Sequence, residues 1–150
     1  MWQRAALLAT SAALLALGAG QLIGMALARP RPFVVMPATV LVPHVPDPSF
    51  PSDHAILLGA VTVVLASVSR RLGAWLALFS ILVLVSRVYI GVHYPTDVPG
   101  GAALGAAGAW ATLRLARLPI IERSIAMLLA LFARQHLAAR DEAALSRNDR

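Results

Sequence analysis

The sequence predicts an all-α integral membrane helical bundle of about four spanning helices plus a C-terminal amphipathic helix. Three observations carry this. Hydrophobic residues make up 59% of the 150 residues and charged residues only 13%, against roughly 25% charged in soluble domains. Mean hydropathy is +0.74. The apolar residues also fall into runs on the scale of a bilayer crossing, about 20 residues each. A chain of this size is read as one domain, 1–150, with a chemistry-bearing core at about 22–115 and an interfacial helix and tail at 120–150.

The first run, Ala5 to Ala28, is uncharged and ends before Arg29, Pro30, Arg31 and Pro32, where two prolines stop a helix. Arg4 and the small-residue box Ala26-Leu27-Ala28 also fit a signal peptide, but the run is too long for a usual signal core. Phe33 to Pro51 is a proline-rich loop whose single acid is Asp47. A second helix is expected from Ser52, with Ser52 or Asp53 as N-cap, through the apolar run Ala55 to Val68. The third covers Leu72 to about Val92, interrupted by Ser86 and Arg87. The fourth covers Val98 to Leu113 and is rich in Gly and Ala. Its Gly101 and Gly105, like Gly20 and Gly24 in the first run, are spaced for close helix packing. Ile125 to Ala133 is too short to cross and reads as an interfacial helix. Gln135 to Arg150 reads as a polar tail.

All 13 basic residues are Arg; there is no Lys and no Cys. This removes a Walker-type phosphate loop, Schiff-base chemistry, thiol chemistry and disulfides. With a cytoplasmic N-terminus, four crossings leave ten arginines inside and only Arg29, Arg31 and Arg87 outside. That agrees with the positive-inside rule. The net charge of +6 therefore sets topology, and no nucleic-acid partner is expected.

The same topology brings His44, His54, His93, Asp47, Asp53 and Asp97 to the outer side. Ser86 and His93, seven apart, share a helix face. Arg87 near the end of an apolar span is either a snorkelling side chain or a functional one. Asp97, four residues past His93, is placed to accept its N–H and fix its tautomer; a plain loop hydrogen bond is the alternative. Ser52 and the first N–H groups of its helix form an anion site. Asp53 reads equally as a capping residue or a substrate contact. Together, arginine forks, a helix N-terminus and two histidines suit phosphoryl transfer, with one imidazole attacking and the other protonating the leaving oxygen.

Arg31-Pro32, Pro51-Ser52-Asp53-His54 and Ser86-Arg87-x5-His93-x3-Asp97 resemble the three-part signature of the type-2 phosphatidic acid phosphatase superfamily. The Ser-Asp-His form of the second block and the Arg-Pro-Phe of the first look most like undecaprenyl-pyrophosphate phosphatases of the bacitracin-resistance type. The resemblance implies a cofactor-free, metal-independent lipid phosphatase in a bacterial inner membrane. Its site would lie at the outer face, with both termini cytoplasmic. It implies His93 as the nucleophile, Asp97 as its orienting acid and His54 as the general acid. Arg31, Ser52 and Arg87 would hold the phosphoryl oxygens. The family's first block usually opens with a Lys seven residues before its Arg; that position is Gly24 here, and Arg29 is the candidate replacement. Family members usually carry about two spanning helices before the first block, whereas one run precedes it here. Undecaprenyl diphosphate is the first expected substrate, with phosphatidic acid or phosphatidylglycerophosphate as alternatives. A haloperoxidase of the same kinship would need a soluble chain, and a non-catalytic membrane homologue is the reading from another class.

Overall fold

A computed structural model describes residues 1–36 and 45–131. Five helices are delimited: α1 (Trp2–Leu27), α2 (Pro32–Val35), α3 (Asp53–Val68), α4 (Arg70–Tyr89) and α5 (Asp97–Leu115). Residues 119–131 are also helical. No strand occurs among the described residues. The all-helical expectation is met.

The boundaries follow local chemistry. The first helix stops at Ala28, before its prolines, because Ala28 takes a left-handed conformation (φ 44°) and its N–H closes back on Gly24 O. Such a cap normally belongs to glycine. Pro32 then opens the single turn α2, where its fixed φ and missing N–H cost nothing. Ser52 holds the N-cap position of α3, as expected, yet its side chain makes no capping bond. Ser69 separates α3 from α4 with extended backbone and caps α4 by accepting from Leu72 N. The α4 helix ends three residues earlier than the apolar run suggests, because Gly91 turns the chain with φ 74°.

The packing is inverted relative to a water-soluble protein. The buried positions of α1 are Ala5, Ala12, Ala13, Ala16, Gly20 and Gly24, while Leu14, Leu15, Leu22 and Met25 point outward. On α4, Gly73, Ser80 and Leu84 are buried, while Leu78, Phe79, Ile81, Leu82 and Val85 are exposed. Small residues inside and large apolar ones outside suit a lipid surround, where close backbone approach supplies the packing energy. Two stretches, Trp2–Val35 and Arg70–Tyr89, are long and apolar enough to cross a membrane. The twenty residues of α4 span about 30 Å, the thickness of a hydrocarbon core. Four such stretches were expected. α3 is apolar but short at 16 residues, and α5 is diluted by Asp97, Thr112, Arg114 and its glycines.

α3 and α5 run side by side in the same direction. A Cβ on Gly101 would meet Ser52 O and Ala55, and one on Gly105 would meet Ile56 O and Ala60 N. Gly59 makes the reciprocal approach to Ala102 O. α1 crosses this pair in the opposite sense, with Gly20 over Ile56 and Gly108 over Ala16. α4 packs back on α3 through Gly73 and Ala66. Both α3 and α5 therefore begin, and both α1 and α4 end, at one end of the bundle. At the opposite end Arg4 bonds Glu122 and Ala116 O, each at 3.3 Å. The expected tail at 135–150 and the end of the interfacial helix at Ala133 lie outside the described residues. So does His44.

Gly105→Leu must force backbone apart and is expected to cost about 3 kcal/mol or more. Gly18→Leu, at a position with nothing within 4 Å, is expected to be tolerated; unfolding of the detergent-solubilised protein in SDS compares the two. Ala28→Gly is expected to stabilise by about 1 kcal/mol in the same assay, since glycine takes the left-handed conformation without the Cβ penalty.

Candidate active site

The site is built where α1 and α4 end and α3 and α5 begin. Its centre is Asp97, the first residue of α5, with none of its surface exposed. Asp97 Oδ1 accepts from Arg29 Nη1 at 2.7 Å. Asp97 Oδ2 accepts from the Ser49 hydroxyl at 2.5 Å and from Tyr94 N–H at 2.8 Å. The Asp97 backbone carbonyl accepts from Ser52 N–H at 3.2 Å, which joins the starts of α3 and α5. Two helix N-termini are thus fixed side by side, and their dipoles add a positive potential at this end.

His93 lies in the turn between α4 and α5 and is almost fully buried. Its Nδ1 is 2.9 Å from Ser49 O. A carbonyl can only accept, so Nδ1 carries the proton and the neutral ring has its lone pair on Nε2. That lone pair faces Arg31 Nη1 at 3.4 Å. The expected partner Asp97 is 3.6 Å from Nδ1, an ion-pair distance and too long for a good hydrogen bond. Burial first, and the neighbouring Arg31 second, push the His93 imidazole down to about 4; the Ser49 carbonyl and Asp97 oppose this, and Arg87 adds to it. The ring is therefore neutral at physiological pH.

The three arginines at this end of the bundle have different surroundings. Arg31 is buried. Its Nε and Nη2 grip the Asp47 carboxylate at 2.8 and 3.1 Å, and its Nη1 bonds Val92 O at 3.0 Å. Arg29 turns to Asp97 and Thr96 Oγ1, 2.9 Å away. It also lies 4.0 Å over the Tyr94 ring, a cation–π contact. Its charge is thus matched by the Asp97 carboxylate. Arg87, in the last turn of α4, offers its backbone carbonyl to Val92 and His93 N–H, both at 3.3 Å.

The second block divides between interior and surface. Ser52 is fully buried, and its hydroxyl has no hydrogen-bond partner among the described residues. An unsatisfied buried hydroxyl is costly, and here it sits at the N-terminus of α3. Asp53 accepts from Gln21 Nε2 at 3.1 and 3.2 Å. His54 is exposed one residue further on.

The sequence did not single out Ser49, Thr96, Tyr94 or Gln21, and placed Asp47 outside without a partner. Ser49 stands only three residues before Ser52, but nothing in its spacing marks it. Phe50 helps to hold this segment by laying its ring against Gly100, where a Cβ would stand 2.5 Å from the ring. Among the described residues no three His, Asp or Glu side chains gather as a metal site.

A buried imidazole beside a guanidinium, at the meeting of two helix N-termini, is an arrangement suited to anions. Comparison with known proteins agrees in class: residues 5–119 match the PAP2 superfamily model, and the chain belongs to that superfamily. Among its relatives, the undecaprenyl-diphosphatase BcrC of Bacillus subtilis is 40% identical over 79 residues, 53% of this chain and 41% of that protein. An undecaprenyl-diphosphatase of Sulfolobus acidocaldarius is 41% identical over 91 residues, 57% of this chain and 43% of that protein. The putative undecaprenyl-diphosphatase YbjG of Escherichia coli is 35% identical over 79 residues, 52% and 40% respectively. The chain spans about two-fifths of the length of these curated relatives.

Ser52→Ala removes no bond in the free protein. It is expected to leave stability unchanged within about 0.5 kcal/mol while weakening inorganic phosphate binding about tenfold, the value of one buried charge-assisted hydrogen bond. Calorimetric unfolding and 31P NMR titration read the two effects separately.

Proposed function

We propose that this chain is a lipid phosphatase that hydrolyses a polyprenyl diphosphate, undecaprenyl diphosphate first, to the monophosphate and inorganic phosphate through a phosphohistidine. The observation that carries this reading is the neutral, buried His93 with its Nε2 lone pair 3.4 Å from Arg31. A phosphoryl group seated on Arg31 would meet the nucleophile directly.

The steps use this chain's residues alone. Arg31, Arg87, the Ser52 hydroxyl and the N–H groups opening α3 hold the terminal phosphoryl oxygens. Asp47 holds two of the Arg31 nitrogens in the free protein and gives way to the substrate's own anion. His93 Nε2 attacks phosphorus, and the bond to the bridging oxygen breaks. His54, protonated, gives its proton to that oxygen, and the lipid monophosphate departs. A water then attacks the phosphohistidine, losing its proton to His54, and the N–P bond breaks to release phosphate. The positive charge that develops on His93 is met by Asp97 3.6 Å away. No metal or cofactor is needed for any step.

The lipid half of the proposal has its own support. An apolar groove of about 500 Å³ is lined by Ile81, Leu84, Val85, Val88, Tyr89, Pro95 and Val98. Val88 adjoins Arg87, and Val98 adjoins Asp97, so a chain lying there continues from the phosphate site. The charge distribution supports a four-span topology with the site at the outer face of a bacterial inner membrane. Arg4, Arg70, Arg71, Arg114, Arg117 and Arg123 fall at the opposite end, the end that positive charge retains in the cytoplasm.

Purified chain is expected to release phosphate from a prenyl diphosphate in the presence of EDTA, faster than from matched phosphatidic acid or phosphatidylglycerophosphate. No turnover on any member of that panel by folded protein defeats the proposal. His93→Ala is expected to abolish the trapped phosphoenzyme and cut turnover at least about a thousandfold, with His54→Ala chiefly slowing departure of the leaving group. In the pH–rate curve, His93 must be neutral to attack. Because its value is lowered, the acidic fall moves down toward pH 4, while the alkaline fall follows loss of the proton from His54. An acidic limb near the ordinary histidine value contradicts His93 as the attacking base.

A further inference from the structure

Ser49 stands between the two residues that the family signature pairs. It is fully buried. Its hydroxyl donates to Asp97 Oδ2 at 2.5 Å, its carbonyl accepts the His93 Nδ1 proton at 2.9 Å, and its N–H donates to Arg29 O at 2.8 Å. Every polar group of this residue is therefore spent on the site. His93 and Asp97 themselves are 3.6 Å apart.

We infer that Ser49 is the positioning residue of this site: its peptide carbonyl, and not the Asp97 carboxylate, selects the tautomer of His93, while Asp97 acts on the imidazole by holding Ser49 in place. An imidazole with a carbonyl at Nδ1 has only one neutral form available, the one with its lone pair on Nε2. The carbonyl is aimed because the same residue is fixed at its other two polar groups. The hydroxyl is tied to the start of α5 and the N–H to the end of α1. Asp97 is in turn held by Arg29 and Tyr94 N–H, so Ser49 is anchored to a carboxylate that cannot turn. The Asp97 charge still acts across 3.6 Å once the ring becomes cationic on phosphorylation. Tautomer selection before attack and charge stabilisation during it thus belong to different groups.

The inference rests on the phosphatase reading for its catalytic meaning, but its primary test needs no substrate. The full chain is labelled with 15N-histidine in detergent, and the His93 signals are assigned by their loss in His93→Gln. The wild type is expected to show Nδ1 protonated and Nε2 bare. Asp97→Asn, whose amide oxygen still accepts from the Ser49 hydroxyl, is expected to keep that pattern. Ser49→Ala, which frees the carbonyl's anchor, is expected to give a mixture of the two tautomers. Turnover by Ser49→Ala should fall about tenfold with KM changed by less than about twofold, and Ser49→Thr, which keeps the hydroxyl, should restore both the rate and the pattern. The inference is overturned if Asp97→Asn moves the proton to Nε2 while Ser49→Ala leaves the tautomer unchanged. Should Ser49→Ala fail to fold, Ser49→Thr and Asp97→Asn decide: loss of the Nδ1 proton in the Asn variant alone overturns it. If the phosphatase reading itself fails, no variant turns over any lipid phosphate, yet the tautomer pattern is as stated.

Discussion

A carboxylate sealed from solvent costs several kcal/mol unless every oxygen is partnered, and satisfying Asp97 organises this end of the molecule. Its partners come from three separate segments. Arg29 arrives from the end of α1, Ser49 from the loop before α3, Tyr94 from the turn after α4, and Ser52 meets its backbone carbonyl from the start of α3. Each of these contacts satisfies part of one buried carboxylate or its own backbone carbonyl, so the segments are held as a set. The imidazole of His93 is positioned as a by-product of that closure. Its proton goes to the one carbonyl left facing it.

The bundle can converge so tightly because its interior is made of glycine and alanine. At the α3–α5 contact, backbone touches backbone at Gly59, Gly101 and Gly105, which brings the two helix N-termini within one hydrogen bond of each other. Leucines at those positions would force the helices apart and break the link between Ser52 N–H and Asp97 O without touching any polar residue. The large apolar side chains are displaced outward, an arrangement that suits a hydrocarbon surround. Packing and chemistry are thus set by one choice of residue size.

Much of this was legible in the sequence. Runs of apolar residues and the prolines at Pro30 and Pro32 located α1, α3, α4 and α5 to within a few residues, and the spacing of small residues identified the packed faces. The blocks carrying Arg31, Ser52, His93 and Asp97 pointed to one end of the bundle, where the structure brings them. The remainder depends on contacts between residues far apart in the chain. Arg29 reaches Asp97 across 68 positions, and nothing local to either marks the other. The role of Ser49 falls largely to its backbone carbonyl, which has no side-chain signature. The early end of α4 is set by the positive φ of Gly91, whereas hydropathy alone runs on through Val92. The left-handed Ala28 is the opposite case, because an alanine gives no warning of that conformation.

α4 differs from its neighbours in how it is held. Among the described residues it packs chiefly against α3, through the Gly73–Ala66 contact, and it is joined at Ser69 and at the Ile90–Gly91 turn. His93 is clamped by several segments, whereas Arg87 rides on a helix with one principal packed companion. Because the Arg87 carbonyl accepts from Val92 and His93 N–H, a tilt of α4 on α3 would carry into the turn that holds the imidazole, so the Gly73–Ala66 contact steadies that ring as well as its own helix.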